Sequence, residues 1–209
     1  MILEDVIRQA SQLLKNNNIV SHELDSEIIL SDIMKVSREF LIVNNRANIS
    51  KNIIKKYGLS IKRRINKEPI AYITGKKEFW SQNFVTNRST LVPRPETELL
   101  IYKIVDIFKN KRINILDIGT GSGCILLSLL KELYNSRGMG IDISSRAIQT
   151  AKINSKNLNL VNRAKFKNFD LDRYNFGRYD LIVSNPPYIP SKDIRKLSKD
   201  IINFEPKKA

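Results

Sequence analysis

In 209 residues the chain has one cysteine, Cys124, one histidine, His22, and one tryptophan, Trp80. A lone thiol closes no disulfide within the chain, and one Cys with one distant His cannot build a zinc cluster. Cys124 opens the apolar run "CILLSLL" and reads as a small buried hydrophobe rather than a nucleophile. His22 stands beside a helix start at Ser21 and reads as a half-exposed neighbour of the cap. Acid is scarce too: 21 Asp and Glu stand against 36 Lys and Arg, a formal charge of +15. That surplus admits an RNA or another acidic partner, yet the basic residues are scattered as on solvated faces, with only "IKRRINKEP" and "GKK" resembling clusters. No apolar run approaches the ~20 residues of a membrane span, and "MILEDVIRQ" lacks the basic start and apolar stretch of a secretory leader. These absences predict a cytoplasmic protein without metal, membrane attachment or a stable nucleic-acid partner, working as a monomer.

What is present falls into two textures. Residues 1–75 read as short helices. "LEDVIRQASQLL" puts Leu3, Val6, Ile7, Ala10, Leu13 and Leu14 on one face, and "NNN" ends it. A second helix runs from Ser21 to Lys35 with Leu24, Ile28 and Ile29 at helical spacing. A short helix around "SREFLI" and a longer one from Ser50, placed as an N-cap, through "INK" complete a small bundle suited to packing or to partner recognition.

Residues 76–92 contain "KEFWSQNFVT", which alternates like two short strands about a turn and predicts a hairpin joining the halves. Phe79 and Trp80 read there as hairpin core. In "LVPRPETELL", Pro93 and Pro95 preclude regular strand, and Glu96 and Glu98 suit the first turn of a helix. Residues 93–209 then alternate "INILDIG", "CILLSLLKEL", "GMGIDIS", "SRAIQTAKINSKNL", "AKFKNFD" and "YDLIVSN", strand and helix in turn. Such alternation predicts an α/β fold with a doubly wound, mostly parallel, Rossmann-like sheet.

Between the first of these strands and its helix lies "LDIGTGSGC". Gly119, Gly121 and Gly123 let the turn be tight and the backbone approach a ligand, while Thr120, Ser122 and the helix start offer N–H groups. A phosphate P-loop needs Gly-Lys-Ser/Thr here, and Gly123 is followed by Cys124. The acid Asp117 precedes the loop, and Asp142 ends the next strand about 20 residues on, where a carboxylate takes ribose hydroxyls. Taken singly, Asp117 could equally stabilise the turn and Asp142 could cap "SSRAIQ". Asp170 and Leu171 follow the third strand, at the depth of a bound adenine.

The last strand ends in "SNPPYIP". Pro186 and Pro187 lack N–H donors and have a fixed φ, so they stop the ladder and present Asn185 and Tyr188 at the strand's C-terminal end, the ligand-binding end of a parallel sheet. In this order, "LDIGTGSG", "GIDIS" and "SNPPY" resemble the class I S-adenosylmethionine-dependent methyltransferases. With "EPIAYITGKKEFW" and "VPRPETELL" added, the chain resembles the HemK/PrmC family, the release-factor glutamine N5-methyltransferases.

The resemblance implies S-adenosyl-L-methionine as cofactor, held by Asp117, Gly119, Thr120, Gly121, Ser122, Gly123, Asp142, Asp170, Leu171 and Asn185. It implies peptide-chain release factors, at the glutamine of a Gly-Gly-Gln loop, as substrate. Asn185, Pro186, Pro187 and Tyr188 would bind the target amide and carry the transfer, and Arg94, Glu96 and Thr97 would brace the site. The residue chemistry agrees. An amide nitrogen is a poor nucleophile that needs orienting acceptors more than a strong base; the Asn185 side-chain oxygen and the Pro186 carbonyl are two, and Tyr188 can pack on the flat amide.

Two other functions fit parts of this pattern: a nucleic-acid adenine N6-methyltransferase, and an inactive cofactor-binding fragment. The first needs a target-recognition region that the helical bundle, without aromatic and basic interleaving, does not resemble. The second follows from counting four strands where the class I sheet has seven, which predicts a C-terminally truncated chain with one side of "YDLIVSN" unpaired.

Overall fold

The computed structural model describes residues 1–173, 177–186 and 199–206. The chain divides into two compact units, Met1–Thr74 and Gly75–Ala209. Among the described residues no helix is long and apolar enough to cross a membrane.

The first unit is helical: α1 (Leu3–Asn16), α2 (His22–Met34), α3 (Arg38–Val43), α4 (Lys51–Ile65) and α5 (Ile70–Thr74). Leu3, Val6, Ala10 and Leu14 form the buried face of α1, while Leu13, expected beside them, is 51% exposed. It lies one residue, roughly 100°, round the helix from Leu14. In α2 the buried positions are Asp25, Ser26, Ile29 and Leu30, and Leu24 faces outward. An aspartate takes the inner place because α4 brings Arg64 against it, with Nε donating to Asp25 Oδ2 over 2.7 Å. Ser37 and Ser50 cap α3 and α4 through the Phe40 and Ile53 amides. Ser21 precedes α2 without a capping bond, and His22 Nδ1 lies 2.8 Å from Ser11 Oγ. Helix α5 was not anticipated; it begins after Pro69, whose missing N–H costs nothing at a helix start.

The second unit opens with the hairpin, β1 (Lys76–Phe79) paired antiparallel with β2 (Gln82–Val85). Phe79 and Phe84 pack edge to face, 6.1 Å between centroids, within this unit's core. Trp80 and Ser81 form the turn, both at positive φ (50° and 54°), a conformation that usually calls for glycine or asparagine. Trp80 is thus a turn residue that packs, half-buried, against the edge of this core, tied down by its N–H to Glu98 Oε1 and its indole N–H to Glu132 Oε1, each 2.8 Å.

A 3-10 turn, Pro95–Thr97, leads into α6 (Glu98–Phe108). Then follow β3 (Asn114–Ile118), α7 (Cys124–Glu132), β4 (Arg137–Asp142), α8 (Ser145–Asn157), β5 (Ala164–Asn168), β6 (Leu181–Ser184) and α9 (Lys199–Phe204). The sheet is parallel with strand order β5-β4-β3-β6. Chain order runs outward from β3 in one direction and then crosses to its other side for β6. The C-terminal end of β3 is therefore the switch point, where an open α/β sheet leaves a crevice. Ile115, Leu126, Leu127, Leu129 and Leu130 fill the layer between β3 and α7.

Candidate active site

Strand register decides which residues meet at that crevice. Ile118, the last residue of β3, pairs with Ile141 of β4 and with Ser184 of β6. Asp142 and Asn185 each follow a partner of Ile118 and so flank Gly119 on either side, about 10 Å apart across two strand spacings. Both line one cavity of about 620 Å³, together with Gly119, Thr120, Gly121, Ser122, Asp170, Leu171 and Pro186. That volume suits a nucleoside-sized ligand.

The loop between β3 and α7 is built on Asp117. Its Oδ2 accepts the Thr120 hydroxyl at 2.6 Å, beneath the cavity. Gly140 is the register partner of Asp117 on β4, and a Cβ there would lie 2.8 Å from Thr120 Oγ1 and 2.7 Å from the Phe166 ring. The bare glycine leaves room for the Thr120–Asp117 bond. Asp117 is 1% exposed and its Oδ1 has no hydrogen-bond partner. Burial raises its pKa to about 7, against the lowering effects of the Thr120 hydroxyl and the Leu126 amide and with a further rise from Asp142. Above the loop, Gly119 and Gly121 sit at φ +69° and +56°, and a Cβ on Gly119 would meet nothing within 4 Å. The loop backbone thus presents a bare surface to the cavity.

Asp142 is held by backbone. Its Oδ2 accepts the Gly121 N–H at 3.0 Å and its Oδ1 accepts the Ser144 N–H at 2.8 Å. A carboxylate has roughly four acceptor positions, so each oxygen keeps one for a ligand. The cap of α8 is Ser144, which accepts from the Ala147 amide. Asp142 thus tethers the loop while keeping acceptors toward the cavity. Its carbonyl also accepts the Phe169 N–H and the Asn168 side chain, which fixes the start of the 169–171 segment.

The opposite wall comes from Ser89, Thr90, Leu91, Pro93, Arg94 and Thr97 and from Pro206. Arg94 Nη2 contacts both oxygens of the buried Glu205 carboxylate, at 2.8 and 2.7 Å, and Arg88 lies over the Phe204 ring, 5.0 Å from its centroid. The "PRPE" and "FEP" segments are thereby fastened together.

Of the residues anticipated at the site, Gly119 to Ser122, Asp142, Asp170, Leu171, Asn185 and Pro186 all line the cavity, and so do Arg94 and Thr97. Asp117 and Gly123 lie behind the lining; Gly123 caps α7 at φ +80°, where an added Cβ would lie 3.1 Å from Leu127 and 3.2 Å from Ala151. Glu96 is not on the lining, and Pro187 and Tyr188 lie outside the described residues. Cys124 reaches the lining, but burial pushes its thiol up to about 12, so it remains a protonated spacer. Sequence reasoning missed Ile143 and Phe169, apolar cavity residues beside the marked acids, and Ser89, Thr90 and Leu91. An apolar residue next to a strand-end acid is a usable signal for the first two; the other three carry none. Among the described residues no His, Cys, Asp and Glu cluster could hold a metal.

Comparison with known proteins finds matches along nearly the whole chain. Residues 5–75 match the PrmC N-terminal domain, and residues 95–205 match the methyltransferase small domain. A release factor glutamine methyltransferase from Clostridium acetobutylicum is 39% identical over 99% of this chain and 74% of its own length. One from Buchnera aphidicola subsp. Schizaphis graminum is 43% identical over 87% of this chain and 66% of its own length. A bifunctional methyltransferase from Rickettsia typhi is 34% identical over 98% of this chain. The match spans just under two thirds of the Buchnera relative and 43% of the Rickettsia one.

Proposed function

The chain belongs to the release factor glutamine methyltransferase family, and on that premise we propose that it methylates the side-chain amide nitrogen of a glutamine in peptide-chain release factors, using S-adenosyl-L-methionine. The observation that carries this reading is the pairing at one crevice: Asp142 and the bare glycine loop on one side of β3, Asn185 and Pro186 on the other.

The cavity residues fit the cofactor. Asp142 keeps acceptors for paired ribose hydroxyls, Ile143, Phe169 and Leu171 give apolar walls for a flat base, and the loop over Gly119–Gly121 leaves room for the amino-acid tail. When bound, S-adenosylmethionine supplies an electrophilic methyl group. The protein's part is to aim the nucleophile. Asn185 Oδ1 and the Pro186 carbonyl accept the two N–H bonds of the target amide, which fixes the nitrogen's orientation and favours the positive charge that builds on it as its lone pair is committed. The surplus proton leaves from that nitrogen to water after transfer. Pro187 and Tyr188 lie outside the described residues, and the family resemblance alone assigns them to the same amide-binding motif. The Gly-Gly-Gln loop is the segment we assign as the methylated element.

Incubation of the protein with methyl-labelled S-adenosylmethionine and either a release factor, DNA or ribosomal RNA tests the reading. Label in the release factor, lost when the Gly-Gly-Gln glutamine is replaced, is the expected result. Label in nucleic acid and none in protein would overturn it.

A further inference from the structure

Asn154 stands in the last turn of α8, completely buried, in a helix whose other inward positions include Ala147, Ile148 and Ala151. Asparagine is a mediocre helix former, and an interior polar group is costly unless its hydrogen bonds are met. All its side-chain bonds go to backbone far away in sequence. Oδ1 accepts the Val85 N–H at 2.7 Å, while Nδ2 donates to the Val85 carbonyl at 3.1 Å and to the Ser122 carbonyl at 2.9 Å. The side-chain amide therefore docks on the free edge of β2 as a neighbouring strand's peptide would, and reaches across to the glycine loop. One turn earlier, Thr150 Oγ1 accepts Asn87 Nδ2 at 2.9 Å. The same helix face thus holds residues 85–87, which lead into the Ser89–Arg94 wall, and the loop that bears Gly119 and Gly121.

Resting on the methyltransferase reading for its consequence, though not for its geometry, we propose that Asn154 is a positioning residue that ties the cofactor loop to the hairpin and sets the spacing between the two walls of the cavity. The tied atom is the right one for the task. Ser122 lies between Gly121, whose N–H is bonded to Asp142, and Gly123, whose N–H is bonded to the Thr120 carbonyl. A carbonyl held from behind fixes the Ser122–Gly123 peptide plane, and with it the direction of the flanking amides. In a segment with three glycines at positive φ, the side chains supply little such restraint.

The test compares wild type, Asn154→Asp, Asn154→Leu and Leu160→Ala in the full chain. Asn154→Asp keeps the acceptor for Val85 N–H but loses both donations and sets an oxygen against two carbonyls. Leu160→Ala removes core packing without touching the Asn154 hydrogen bonds and serves as the control for general loss of stability. Hydrogen–deuterium exchange is read at the Gly121 and Gly123 amides without any ligand, and S-adenosylhomocysteine affinity is read by calorimetry. We expect exchange at both amides to rise at least tenfold in the two Asn154 variants beyond the rise in Leu160→Ala, and Kd to rise about tenfold. Exchange rising no more than in the control would overturn the proposal, as would unchanged affinity in both Asn154 variants. If Asn154→Leu does not fold, Asn154→Asp, close in shape, decides. Failure of wild type to bind S-adenosylhomocysteine at all would instead count against the methyltransferase reading, and the exchange result would still decide the role of Asn154.

Discussion

In the helical unit the buried ions Asp25 and Arg64 answer to each other, and Arg64 also donates to the Glu68 carbonyl. In the α/β unit, buried Asn154 and Ser136 and the half-buried Asp142 answer to backbone amides and carbonyls at the ends of strands. The difference separates bracing from aiming. A pair of side chains fastens two helices whose backbones are already satisfied internally. A side chain bonded to loop backbone supplies partners that no ladder provides and fixes where the loop's remaining groups point. The cavity-lining loop of the α/β unit is held in this second way, through Asp142 and Asn154.

The largest effect expected is at the cavity's acceptor wall. Asn185→Ala should lower methyl transfer by about a hundredfold or more, the scale of losing one oriented polar group at a reacting centre. Cofactor affinity should stay within about twofold. Single-turnover transfer and calorimetry together check this, and an equal loss in both would merge the roles assigned to the two walls.

The bracing side of the comparison is broken by Arg64→Leu. It leaves Asp25 buried and unpaired, at a cost of about 3–5 kcal/mol, and adding Asp25→Leu should recover much of it. The sole tryptophan, Trp80, lies in the α/β unit. The far-ultraviolet dichroism melt should therefore move to lower denaturant in Arg64→Leu while Trp80 fluorescence keeps its midpoint; a joint shift would show that the Asp25–Arg64 pair braces more than its own bundle.

Asp142→Ala should weaken cofactor binding by about 1–3 kcal/mol, because a charge-assisted acceptor is lost and Gly121 is released together. Titration with S-adenosylhomocysteine reads this directly. Unchanged affinity would confine Asp142 to bracing its own turn.

A further effect is a slope. The Asp117 carboxyl has its folded pKa raised to about 7, above its unfolded value near 4. The folded state therefore holds the proton more tightly, and the stability from this group is complete below pH ~4 and lost as pH rises toward 7. Asp117→Asn should flatten that part of the thermal-melt profile between pH ~4 and 7. An unaltered slope would mean that the carboxylate is satisfied in a way its orphan oxygen does not show.

These residues also mark how far the sequence was legible. Asp117, the glycines and Asp142 could be read because a strand, a loop and a second strand end lie close together in the chain, with side chains that have little reason to be there otherwise. Four strands and their alternation with helices were readable from period alone. Asn154 was not. "AKINSKNL" has the look of a solvated helix face, and its asparagine is buried only because a hairpin almost 70 residues earlier packs on it. Glu205 was hidden for the same reason, as was the inward place of Asp25: a polar residue enters a core when a distant partner meets it, and no local pattern carries that information. The left-handed turn at Trp80 and Ser81 was masked by residue types that disfavour it, and it is held by two glutamates from α6 and α7.

The contact between Arg94 and Glu205 closes a span of 111 residues. At roughly 5–20 residues per second of synthesis, Glu205 leaves the ribosome about 6–22 s after Arg94. Throughout that interval the arginine's eventual partner does not yet exist, whereas β3, the glycine loop and Asp142 are all translated within it. Assembly of the pocket therefore has a schedule: the wall that would grip the cofactor can form first, and the wall that carries Arg94 is pinned last.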